Sequence, residues 1–116
     1  MNLADRTKHF ALDIITLYTT LPKNPVAQVL GKQVLRSGTS IGANYREASR
    51  ARSDAEFSAK LGDSLKEIDE TRYWLELLVE SEICSSPLIE KLMNEASELS
   101  AIFTTIDKKV KARSPK

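Results

Sequence analysis

Three helix-start signals divide this chain of 116 residues into four amphipathic segments. Asn24-Pro25 and Ser86-Pro87 each offer a capping side chain followed by a proline, whose missing N–H costs nothing in the first helical turn. The run 53–56, SDAE, matches a capping box. No segment alternates between apolar and polar residues with the period of a strand. Because short connections make neighbouring helices antiparallel, these signals predict an all-α, up-down antiparallel four-helix bundle.

Length and composition predict one domain. A chain of this size builds a single hydrophobic core, and its 41% hydrophobic and 28% charged residues are typical of globular proteins. We expect the domain to cover residues 1–112, with a basic frayed tail at 113–116. We expect no membrane span and no signal peptide, and the single cysteine, Cys84, fits a reducing compartment. The sequence therefore predicts a cytoplasmic protein without a membrane partner.

Apolar residues at helical spacing predict the buried stripe of each helix. In the second segment the predicted stripe is Val26, Leu30, Val34, Ile41, Tyr45 and Ala48. In the third segment it is Phe57, Leu61, Leu65, Ile68, Leu75 and Val79. The residues on the opposite faces are the candidates for a functional surface.

The outer face of the second helix is predicted to be basic. On a helical wheel, four cationic residues fall opposite the buried stripe: Lys32, Arg36, Arg46 and Arg50. Three interpretations of this face stay open. The cations can be solvated without a partner, they can contact the phosphates of a nucleic acid, or they can dock on an acidic face of a second copy.

Charge is distributed unevenly along the chain. Residues 1–53 carry eight Lys or Arg and three Asp or Glu, a net charge of +5. Residues 54–107 carry four and thirteen, a net charge of −9, and residues 108–116 carry five and none, a net charge of +5. Such segregation favours charged partners, either a nucleic acid or an oppositely charged surface of the same protein.

A self-association surface is predicted from small and aromatic residues. Gly38 and Gly42 lie on a flank of the second helix where little side chain covers the backbone, which lets a neighbouring surface approach closely. Tyr73, Trp74 and Leu77 fall outside the core stripe of the third helix. Trp and Tyr often anchor interfaces. We expect these five residues to form a contact between copies.

An enzymatic alternative rests on two pairs of carboxylates. Glu67 and Glu70, and likewise Glu95 and Glu98, have the spacing with which helical nucleotide pyrophosphatases hold Mg²⁺. The wheel places the first pair away from the core, so it does not converge easily with the second. His9 is the only histidine, and no nucleophile motif accompanies any serine. We expect no catalytic residue, no metal site, no cofactor and no small-molecule substrate.

A resemblance to a known family is carried by the run 36–57, RSGTSIGANYREASRARSDAEF. This run resembles the four-helix bundle family encoded in intervening sequences of 23S ribosomal RNA genes. That family is related to the accessory variability determinant proteins of diversity-generating retroelements. The likeness in helix order and length extends over about residues 3–110. It implies a small bacterial protein that forms a homopentameric ring, has relatives with basic, nucleic-acid-binding surfaces, and carries no catalytic residues.

Two hypotheses follow. In the first, the protein is a non-enzymatic, ring-forming accessory factor that binds RNA or DNA through phosphate contacts with the basic face. In the second, it is a pure homo-oligomeric assembly module, in which the same arginines pair with Glu67 and Glu70 of the next subunit and no nucleic acid binds.

Overall fold

The computed structural model describes residues 1–113 and contains four helices. They are α1 (Leu3–Thr20), α2 (Pro25–Ala48), α3 (Asp54–Glu80) and α4 (Pro87–Arg113). They pack into a rod of 49 × 25 × 21 Å, in which α1 and α4 contact each other least. Of the tail predicted at residues 113–116, residue 113 ends α4 and the other three lie outside the described residues. The prediction of an all-α four-helix bundle is confirmed.

The predicted caps lie where the sequence signals place them. The Asn24 side chain accepts a hydrogen bond from the Ala27 amide at 2.9 Å, and the Ser53 hydroxyl accepts one from the Glu56 amide at 3.0 Å. The Ser86 hydroxyl accepts the amide of residue 89 at 3.3 Å. Each cap satisfies an N–H group that has no partner within its own helix. The starts of α2, α3 and α4 therefore follow from capping residues in the local sequence.

The buried stripe of α2 differs from the predicted one at its start. Val26 was expected in the core but is 60% exposed, whereas Ala27 and Gly31 are buried. The reason is that α2 turns its small residues towards α1, because the side chains of α1 need space there. The most apolar residues of α2 therefore do not all face the core. In α3 the difference is smaller, since Leu78 is buried where Val79 was expected and Val79 is only partly buried.

At two glycines of α2, the missing side chain leaves room for a side chain of α1. A Cβ atom built on Gly38 would lie 2.7 Å from Cγ1 of Ile14, and one on Gly42 would lie 3.1 Å from Oγ1 of Thr7. The close approach for which these glycines were predicted therefore occurs within one chain, between α1 and α2. Gly38 is buried there and presents no surface to a second copy. This packing fixes which side of α1 faces solvent.

The α2–α3 contact contains a buried chain of hydroxyls. Thr71 donates to Ser37 at 2.8 Å, and Ser64 donates to the carbonyl oxygen of Ile41 at 2.9 Å. All three hydroxyl-bearing residues are fully buried. Their hydrogen bonds can form only in one register of the two helices, because a buried polar group without a partner is costly.

No helix within residues 1–113 is long and apolar enough to span a bilayer.

The glycine packing predicts opposite effects of two Gly→Ala changes. Gly38→Ala should destabilise the protein by about 1–2 kcal/mol, because overpacking of a core outweighs the gain in helix propensity. Gly62→Ala should stabilise it by about 0.5–1 kcal/mol, since no atom lies within 4 Å of the added Cβ. Urea unfolding of both variants measures the difference. A Gly38→Ala variant as stable as Gly62→Ala would contradict the described α1–α2 contact.

Candidate functional site

Three of the four predicted basic residues of α2 are exposed cations without a partner. Lys32, Arg46 and Arg50 form no ion pair within residues 1–113. The one acidic residue of α2, Glu47, is held by Lys60 of α3 at 2.7 Å. The outer surface of α2 therefore keeps its positive charge uncompensated by its own helix.

A fourth cation, Lys8, reaches the same surface from α1. Lys8 and Arg46 line a shallow groove of about 240 Å³ between α1 and α2, and no acidic side chain lines it. Its floor is formed by small residues of both helices, Ala4, Ala11, Gly42 and Ala43. We call this groove, together with Lys8, Lys32, Arg46 and Arg50, the cationic face; Lys32 lies on α2 outside the groove and Arg50 in the turn that follows α2. The sequence did not identify Lys8, because the side of α1 that meets α2 is set only by the packing of Thr7 and Ile14 on glycines.

Arg36 does not belong to this free set. Its guanidinium forms an ion pair with Glu70 and approaches Glu67 at 3.5 Å, and both carboxylates belong to α3 of the same chain. The indole N–H of Trp74 donates to the same Glu70 oxygen at 3.1 Å. Arg36 thus links α2 to α3. Glu67 and Glu70, which the assembly hypothesis expected to pair with a neighbouring subunit, already pair with Arg36 of their own chain.

Of the three α3 residues predicted to form a contact between copies, only Tyr73 is exposed. Tyr73 is 54% exposed and its ring packs edge-on against Trp74, with 5.2 Å between centroids. Trp74 and Leu77 are only partly buried. Val29 of α2 is 62% exposed and precedes Arg36 by two helical turns, as Leu77 follows Glu70 by two turns. Val29 and Leu77 therefore lie on one side of the bundle.

We group the exposed or half-exposed apolar residues of α2 and α3, together with Trp74, under the name α2–α3 apolar patch: Val26, Val29, Tyr73 and Leu77. A second, smaller apolar area consists of Leu12 and Ile15 on α1, which are 51% and 44% exposed. Two separate apolar areas on one small protein are unusual for a surface that meets only water. Val29 could not be recognised as a surface residue from the sequence, because it stands next to Leu30 of the expected core stripe.

The two carboxylate pairs lie at different junctions and each binds an arginine. Glu67 and Glu70 hold Arg36, as described. Glu95 accepts two hydrogen bonds from Arg6 of α1, at 2.7 and 2.9 Å, and Glu98 accepts one at 3.1 Å. These bonds, above all those to Glu95, raise the pKa of Arg6. The pairs therefore do not converge, and among residues 1–113 no cluster of three possible metal ligands is found.

The largest groove, about 840 Å³, lies between α1 and α4 beneath these ion pairs. Its charged rim is largely neutralised, because Arg6 is held by Glu95 and Lys91 by Asp13 at 3.2 Å. The groove thus marks the weakest helix contact of the bundle, bridged by ion pairs. It offers a ligand fewer free charges than the cationic face does.

The Glu70 site predicts a pH-dependent stability. The hydrogen bond from Trp74, and secondarily the Arg36 ion pair, outweigh partial burial and hold the pKa of Glu70 below its usual 4.5. A lowered folded-state pKa stabilises the protein above the unfolded pKa and loses this effect as the pH falls through the folded pKa. At about pH 7, Glu70→Gln should cost about 0.5–1 kcal/mol, because the carboxylate is 37% exposed and screened.

At about pH 3 this difference between Glu70→Gln and the unmodified protein should shrink towards zero. Urea unfolding at both pH values measures it. Glu76→Gln serves as the control, since Glu76 is an exposed glutamate of α3 without an ion pair in the described part of the chain. A constant difference at both pH values would contradict the role given to the charge.

Comparisons with known proteins agree on the family. A model of the 23S rRNA-intervening sequence protein family matches residues 1–105. The chain is also similar to a solved structure from Bacteroides thetaiotaomicron VPI-5482, titled a protein with unknown function from the S23 ribosomal protein family. Identity is 43%, the TM-score is 0.85, and the match covers 92% of this chain and 99% of that chain. No curated protein matches. Since the family model spans most of the four helices, the chain belongs to the 23S rRNA-intervening sequence protein family.

Proposed function

We propose that this protein is a non-enzymatic, ring-forming accessory factor that binds RNA or DNA through phosphate contacts. The observation that carries the proposal is the cationic face: Lys8 and Arg46 flank a groove that no acidic residue lines, Lys32 and Arg50 add positive charge outside it, and none of the four forms an ion pair within residues 1–113. Lys and Arg side chains that neutralise phosphates supply most sequence-independent affinity for nucleic acids. Phosphate binding of this kind requires no catalytic residue. The resemblance to the accessory proteins of diversity-generating retroelements supports the same kind of binding, in the cytoplasm.

We place the assembly contacts on the two apolar areas. The α2–α3 apolar patch and the area around Leu12 and Ile15 belong to different helices, so a contact between them would join two different surfaces and be heterologous. Heterologous contacts close into a ring when the rotation between subunits permits. The pentamer expected from the family resemblance is such a ring. Gly38 and Gly42, which were predicted to lie in this contact, pack against Ile14 and Thr7 of α1; Gly38 is buried, whereas Gly42 is partly exposed.

The alternative function is an assembly module that binds no nucleic acid. The α2–α3 apolar patch favours it, because that patch can serve assembly whether or not the cationic face binds a nucleic acid. Arg36 no longer supports this alternative, since it meets Glu67 and Glu70 within its own chain. The alternative therefore depends on Arg46 and Arg50 pairing with a neighbouring subunit.

Charge reversal of the cationic face separates the two functions. Arg46→Glu combined with Arg50→Glu should weaken binding to an RNA or DNA duplex by at least about tenfold per lost contact at 0.1 M salt, because each phosphate neutralised contributes about 0.9 to the log–log salt slope. Fluorescence anisotropy over a salt series measures both affinity and slope. Lys66→Glu is a control on α3, at an exposed lysine without an ion pair in residues 1–113, and should change binding little.

Light scattering on the same variants completes this test. If binding persists after the double reversal while the oligomer stays intact, the nucleic-acid proposal is wrong. If the reversal dissociates the oligomer instead, the assembly alternative is supported. A monomeric unmodified protein would count against both functions.

The apolar patch predicts a second change in mass. Val29→Glu should dissociate the oligomer, because a carboxylate placed in an apolar interface loses its hydration without gaining a partner. The position is 62% exposed, so the subunit itself should remain folded. Ala101→Glu on the exposed face of α4 is the matched control and should leave the mass unchanged. Light scattering with circular dichroism checks both, and an intact Val29→Glu oligomer would exclude this patch as the contact.

A further inference from the structure

We propose that the nucleic acid bound by the cationic face is double-stranded and is held by its phosphates without base stacking. This inference rests on the proposed function and specifies its ligand class. Its basis is the position of every aromatic ring of the chain, together with the rigid arrangement of the four cations. Both follow from residues that the structure describes.

None of the seven Phe, Tyr and Trp rings is available on the cationic face. Two are buried, Phe10 and Phe103. Four are partly buried against the core: Tyr18, Tyr45, Phe57 and Trp74. The seventh, Tyr73, is exposed on α3 and packs against Trp74.

Tyr18 of α1 is partly buried, and its ring and hydroxyl both contact α2. A Cβ built on Gly31 would lie 3.1 Å from two of its ring carbons, so the ring already covers that glycine. Its hydroxyl donates to the side chain of Gln28 at 3.3 Å. Proteins that bind single strands stack successive bases on exposed rings. The cationic face has no such platform to offer.

The cations are held on a stiff support. Lys32 and Arg46 lie 14 residues apart on one helix, so their backbones are separated by about 21 Å along its axis. Lys8 stands across the groove on α1, and helices in contact are about 8–10 Å apart. The glycine packing at Gly38 and Gly42 leaves the two helices little freedom to slide. The backbones of Lys8, Lys32 and Arg46 are therefore held in a fixed two-dimensional arrangement, and Arg50 follows in the turn after α2.

A double helix presents the complementary lattice. It carries one negative charge per about 1.7 Å of its axis on two strands of fixed separation. A rigid array of cations meets such phosphates without ordering a flexible strand, which would oppose binding. The small residues on the groove floor, including Ala11 and Ala43, leave room for a sugar-phosphate backbone between Lys8 and Arg46.

The test compares four probes of one sequence with the intact protein: a duplex RNA, a duplex DNA, and a single strand of each that cannot fold on itself. Anisotropy titrations at several salt concentrations should show both duplexes binding about sixfold more tightly than the strands at 0.1 M salt, the difference that slopes of about 0.9 and 0.7 give for about four phosphates. Comparing the two duplexes identifies the natural source of the phosphates.

Lys8→Glu provides the second measurement. It should weaken duplex binding as much as Arg46→Glu does and lower the salt slope by about one phosphate, whereas Lys66→Glu should not. Single strands that bind as tightly as duplexes would overturn the duplex inference while leaving the proposed function in place. Failure of all four probes to bind would overturn the proposed function itself. Duplex binding that ignores Lys8→Glu would place the site elsewhere and overturn this inference.

Discussion

The close contact between α1 and α2 fixes the surface on which the proposed function depends. Ile14 and Thr7 occupy the space that side chains at positions 38 and 42 would fill. Because this contact sets the rotation of α1 about its axis, it also decides that Lys8 emerges beside Arg46 and that Leu12 faces outward. A larger residue at position 38 would push the helices apart and separate the two cations without touching either of them.

The α2–α3 contact determines which cations are left free. Buried hydrogen bonds between Thr71 and Ser37 set the register of these helices. In that register Arg36 reaches the carboxylate of Glu70, to which Trp74 also donates. Val29, two turns before Arg36, is exposed, and Leu77, two turns after Glu70, is partly buried. This one register thus pairs Arg36 with Glu70, positions the indole of Trp74 and aligns the α2–α3 apolar patch.

The helices could be predicted from the sequence because caps and periodicity are local properties. Asn24-Pro25 begins a helix whatever packs on it. The buried face of α2 was harder to predict, since Val26 is more apolar than Ala27 but Ala27 is the one that fits against a neighbouring helix. Pairing across the chain was also beyond sequence reasoning. The wheel places Arg36 on a basic face, and only the position of α3 shows that its charge is satisfied.

The uneven charge of the sequence finds its explanation in these pairings. Of the eight cationic residues in positions 1–53, only Arg6 and Arg36 form ion pairs with described acidic residues, and each takes two carboxylates. Other acidic residues of 54–107 bind cations of α3 and α4 themselves, as Asp107 binds Lys111 and Asp54 binds Arg113. The remaining acidic residues of 54–107 form no ion pair within residues 1–113, and none of the described carboxylates pairs with Lys8, Lys32, Arg46 or Arg50. The positive charge of the cationic face is therefore not paired within the described part of the chain, and the proposed function assigns this charge to phosphate contacts.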